Sequence, residues 1–69
     1  MTPNGLAIRA IRTAQRLSLR ALEEMTGLER GYLSRVERGL IQSPSDETVR
    51  KVANALKVTP EAITHKEKT

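Results

Sequence analysis

The chain of 69 residues is sized for one small domain with a thin hydrophobic core. Twelve Lys and Arg outweigh eight Asp and Glu to give a formal net charge of +4 at pH 7, which favours a polyanionic partner. There is no cysteine and only one histidine, His65, so disulfides and thiolate metal sites are excluded and the lone His65 reads as a solvated residue rather than a ligand.

Taken in chain order, the first apolar-periodic segment covers residues 5–16, with Ile8 and Ile11 three apart and Ala14 continuing their face. Its cap is either Thr2-Pro3 or Asn4, and Gly5 weakens its start. Ser18 is a good N-cap for a second helix over 19–26, with Leu22 and Met25 on its buried side and Glu23 and Glu24 on a solvated face. Gly27 supplies the left-handed residue that ends this helix. A third segment over 29–38 ends at Gly39, with Leu33 and Val36 inward and Leu28 packing from the turn. Its opposite, basic face carries Arg30, Gly31, Ser34, Arg35 and Arg38. Only Gly27-Leu28-Glu29 joins the second and third helices, and a short glycine-containing turn between short helices is the helix-turn-helix signature.

Residues 40–45 read as a loop with Pro44, after which Ser45 caps a fourth helix over 46–56 that has acidic residues in its first turn. Val49, Val52, Ala53 and Leu56 are spaced for one buried face. Thr59-Pro60 is the cap and first residue of a short fifth helix over 60–65, with Ile63 inward. Residues 66–69 read as a flexible tail, and the whole chain as one helix-turn-helix domain with the motif at about 18–38.

The segment LSLRALEEMTGLERGYLSRVERG over 17–39, and SPSDETVRKVANALKVTPEAI after it, resemble the Cro/CI-type (Xre-like) helix-turn-helix repressor family. The resemblance covers residues 8–63 and rests on the Gly27 turn, the YLSRVERG helix end, the fourth helix and the VTPEAI close. It implies an all-α, compact five-helix, lambda-repressor-like DNA-binding domain that places its third helix in the major groove and binds palindromic operators as a dimer.

Carried over residue by residue, the resemblance puts base-edge contacts at Arg30, Gly31 and Arg35. Arginine suits that role because it donates two bonds to guanine O6 and N7, and Gly31 lets the backbone approach the groove closely. Backbone or groove contacts fall on Ser18, Leu19, Arg20, Tyr32, Ser34 and Arg38, with the backbone amides of the 39–43 loop as a second phosphate site. Arg12 and Glu37 match a semi-buried ion pair between the first and third helices. Leu40, Ile41 and Val58 are candidates for a dimer contact, the alternative being that they fold back on the fourth helix. Two positions depart from the family pattern: Leu19 stands where a phosphate-clamping Gln is common, and Glu29 where Ser or Thr caps the third helix. Glu29 is expected to pair with Arg30.

The leading function is therefore transcriptional regulation, as a repressor, by sequence-specific binding of double-stranded DNA. Tyr32 is the only aromatic residue, which argues against single-strand binding by base stacking. The rival reading is a protein-interaction module, an antitoxin or adaptor, favoured by Leu19, Gly31 and the apolar Leu40-Ile41 pair. An enzyme is a poor third, because there is no metal constellation, phosphate-cradling loop or nucleophile–base pairing. No cofactor or small-molecule ligand is implied. No apolar run approaches the roughly 20 residues of a membrane span and no secretory leader is visible, so the expected location is the cytoplasm, at the nucleoid.

Overall fold

The computed structural model describes residues 2–41 and 44–65. The tail at 66–69 and positions 42 and 43 of the proposed phosphate-binding loop lie outside them. The described chain forms a short strand β1 (Thr2–Pro3), helices α1 (Gly5–Ala14), α2 (Leu19–Thr26), α3 (Arg30–Glu37) and α4 (Asp46–Leu56), a 3-10 turn (Pro60–Ile63) and a second strand β2 (Thr64–His65).

Side-chain capping sets three of the four helix starts. Asn4 accepts from the amide of Ala7, Ser18 from Ala21 and Ser45 from Thr48, each satisfying an amide that the helix itself leaves without a partner. Asn4, rather than Thr2-Pro3, is therefore the cap of α1. Helix α2 ends at Gly27 in the left-handed region, φ 76°. Helix α4 ends on Lys57, which takes the same conformation at φ 59° without the freedom of glycine. Gln15, just past α1, donates from Nε2 to the carbonyl of Leu56 at 2.7 Å, so the residue that closes the first helix also satisfies the end of the fourth.

One core joins all the helices. Ile8, Leu22, Leu33, Val36, Val49, Val52, Ala53, Leu56 and Ile63 are buried, and Ile11, Leu17, Leu19, Leu28, Tyr32, Ile41, Ala55 and Val58 pack around them half-buried. Met25 departs from the expectation of burial: it is 49% exposed, leaving Leu22 as the fully buried residue of α2. Ala14 is likewise exposed, so the buried face of α1 runs through Ile8 and Arg12.

The fold is all-α in class, but the fifth helix is a single 3-10 turn. Beyond Ile63 the chain extends to pair antiparallel with the N-terminus, Thr2 opposite His65 and Pro3 opposite Thr64. The amide of Asn4 adds a bond to the carbonyl of Ile63 at 2.8 Å. This clip draws the start of α1 down beside the end of α3, where Gly5 becomes essential. A β-carbon on Gly5 would lie 2.2 Å from the carbonyl oxygen of Glu37 and 2.6 Å from that of Val36. The glycine that weakens the start of a helix is thus the residue that lets two helices touch.

Candidate nucleic-acid interface

The turn between α2 and α3 is held from inside. Thr26 donates its hydroxyl to the carbonyl of Leu22 at 2.7 Å and accepts from the amide of Leu28 at 3.1 Å, so one side chain closes the end of α2 and bends the chain into the turn. Leu28 packs on the core from the bend. Glu29, the residue before α3, makes no side-chain cap. The amide of Arg30 is met instead by Glu23 Oε2 from α2 at 3.0 Å, and Glu23 Oε1 lies 3.3 Å from Arg30 Nε. The partner of Arg30 is therefore Glu23, not Glu29, and Glu23 is no simple solvated residue. The sequence held a faint signal of this: a poor cap at Glu29 with a carboxylate seven residues before the uncapped amide.

Helix α3 has one face committed to the protein. Leu33, Val36 and Glu37 are buried and Tyr32 is half-buried against the core. At 100° per residue, Arg30, Ser34, Arg38, Gly31 and Arg35 fall within an arc of about 140° on the other side. Arg30, Gly31, Arg35 and Arg38 are exposed there and Ser34 is half-buried. A β-carbon on Gly31 would meet only Arg35 Nη1, at 3.7 Å, so no packing within the protein demands a glycine at this position. Arg38 is steered along the helix by Nε, 3.4 Å from the carbonyl of Ser34. Exposed Arg20 lies on α2 together with half-buried Leu19, which rests against the core. Ser18 is engaged as the cap of α2, with its hydroxyl oxygen as acceptor.

What orients this face is a buried ion pair behind it. Arg12 Nε lies 2.7 Å and Nη2 3.0 Å from the two carboxylate oxygens of Glu37, while Nη1 donates to the carbonyl of Leu17 at 2.7 Å. The side chains are 11% and 6% exposed. One guanidinium thereby joins α1, the segment entering α2 and the end of α3, with each of its three nitrogens engaged. It also removes the Glu37 charge from the exposed arginine face.

The proposed dimer residues differ in burial. Leu40 is 61% exposed, whereas Ile41 and Val58 pack half-buried against the core. Among the described residues, no group of His, Asp and Glu could hold a metal ion, and no helix is long and apolar enough to cross a membrane.

A sequence model of the helix-turn-helix family matches residues 8–63. An uncharacterized HTH-type transcriptional regulator of Mycobacterium tuberculosis is 41% identical over 59 residues, covering 86% of this chain and 41% of the relative. The chain thus spans less than half the length of the curated relatives it matches. Among solved structures, the restriction-modification controller protein C.AhdI from Aeromonas hydrophila superposes with a TM-score of 0.79 at 38% identity, covering 84% of this chain and 86% of that one. The P22 c2 repressor, in complex with a synthetic operator, superposes with a TM-score of 0.82 at 26% identity over 93% of this chain and 96% of its own.

Proposed function

The chain belongs to the helix-turn-helix family, and from that membership we propose that it is a sequence-specific double-stranded DNA-binding regulator of transcription, acting as a repressor. The observation that carries this reading is the division of α3: every inward position is spent on the core or on the Arg12–Glu37 pair, while three arginines and a glycine share the open side. The P22 c2 repressor, similar over nearly its whole chain, was solved in complex with a synthetic operator, which supports the same use of the fold.

In this reading α3 lies in the major groove. Arg30 and Arg35 read base edges, and Gly31 lets the helix backbone close on the DNA. Arg38, Arg20 and Ser18 meet phosphates, which set register without carrying sequence information. Leu19, Tyr32 and Ser34 line the groove wall. Exposed Leu40, together with half-buried Ile41 and Val58, forms the contact between two copies on a palindromic operator. The function is non-enzymatic, needs no cofactor and operates at the nucleoid in the cytoplasm.

The test is selection from a pool of random duplexes at roughly physiological salt, followed by sequencing of the bound DNA. Phosphate contacts enrich nothing, whereas base contacts must enrich a sequence. Emergence of an inverted repeat with half-sites about one helical turn apart is the expected result. A single half-site would remove the dimer, and a pool without enrichment would remove sequence-specific regulation altogether.

A further inference from the structure

We infer that Glu23, on α2, is a positioning residue that presents Arg30 to a guanine rather than to a phosphate. The inference rests on the reading of α3 as the base-contacting helix. A single carboxylate holds Arg30 twice: Oε2 accepts from its backbone amide at 3.0 Å, and Oε1 lies 3.3 Å from its Nε. Because the same side chain fixes both the first amide of α3 and the root of the guanidinium, the direction of the Arg30 side chain is tied to the helix itself. The two side chains keep 58% and 34% of their exposure, so the pair sits at the surface with Arg30 outermost.

Two chemical consequences follow. An Nε engaged by Glu23 leaves the Nη1–Nη2 edge of the planar guanidinium for a ligand, and two parallel donors match the O6 and N7 acceptors of guanine in the major groove. The Glu23 carboxylate also occupies the N-terminus of α3, where the helix dipole and the unpaired amides would otherwise attract a phosphate. With its own anion in that place, α3 can approach the groove floor without a backbone phosphate competing for its first turn. The missing cap at Glu29 and the presence of Glu23 are thus two halves of one arrangement, in which a neighbouring helix supplies the cap and aims a side chain with it.

The test separates capping from aiming. Three variants, Glu23→Ala, the double variant Glu23→Ala/Glu29→Ser and Arg30→Ala, are compared with the parent by random-duplex selection and by thermal unfolding. Ser at 29 supplies α3 with an N-cap of its own, on the amide of Tyr32 in place of the bond that Glu23 makes to Arg30, but has no carboxylate to reach Nε. The double variant is expected to unfold close to the parent, yet to lose guanine preference roughly tenfold at the position that Arg30→Ala erases, leaving other positions intact. If the double variant keeps the parental preference at that position, Glu23 is a cap only and the inference falls. It falls equally if Arg30→Ala alters no position. A parent that enriches no sequence overturns the DNA-reading role of α3, and this inference with it.

Discussion

Glu37 places a negative charge on the helix proposed to meet phosphates, and its burial beside Arg12 assigns it to the interior instead. Each carboxylate oxygen has a guanidinium donor, and the remaining guanidinium nitrogen has the Leu17 carbonyl, so no buried polar atom of the pair lacks a partner. Removing one member strands the other in a medium that solvates it poorly. Glu37→Ala is expected to cost about 3–5 kcal/mol in urea unfolding, a large part of the stability of so small a domain. Replacing both residues with apolar side chains of similar volume is expected to cost far less, because the desolvation penalty disappears together with the attraction. Equal midpoints for the parent and Glu37→Ala would show that the pair contributes nothing.

At the scale of elements, two glycines do opposite work. Gly5 holds α1 against α3, and Gly5→Ala would drive a β-carbon into the carbonyls of Val36 and Glu37, where backbone rather than a flexible side chain must yield. A loss of at least about 1–3 kcal/mol is expected by thermal or urea unfolding, despite the better helix propensity of alanine. A β-carbon on Gly31 would make only ordinary van der Waals contact with the end of the Arg35 side chain, so Gly31→Ala is expected to raise stability by up to about 1 kcal/mol. The same substitution is expected to weaken DNA binding, because its β-carbon stands on the face proposed to enter the groove. An unchanged affinity would mean that the backbone does not come close there. The elements legible in the sequence are those written in local chemistry: Ser18, Ser45 and Gly27 mark their helix ends within a few residues of the groups they satisfy. The resemblance of the 17–39 segment added the roles proposed for the third helix. What stayed hidden depends on partners outside the element that carries the residue. The clip between residues 2–3 and 64–65 is too short to show a strand period, Gly5 is explained only by the carbonyls of α3, and Glu23 only by an amide across the turn. Met25 has the spacing of a buried residue, yet it lines an open groove beside Lys51, Asn54 and Ala55 of α4 and stays half exposed.

For the whole molecule, the net charge of +4 and the open arginine face make the same demand: an anionic surface long enough to be contacted at several points. Binding is therefore expected to weaken steeply with salt, and Arg38→Ala to weaken binding to all duplexes alike, reducing the log–log salt slope by roughly 0.9 for the one phosphate lost. A slope unchanged in Arg38→Ala would move that side chain off the DNA. An adaptor docking through the apolar surface around Leu40 would instead show little salt dependence, which separates the two functions without knowledge of either partner. The most direct test of base reading by α3 is the affinity of the parent and of Arg35→Ala for a selected duplex and for a scrambled one, at a single salt concentration. The account predicts that the parent strongly prefers the selected duplex, and that Arg35→Ala loses about tenfold or more on it while changing little on the scrambled one. An equal loss on both duplexes would contradict it, since Arg35 would then be holding only phosphate.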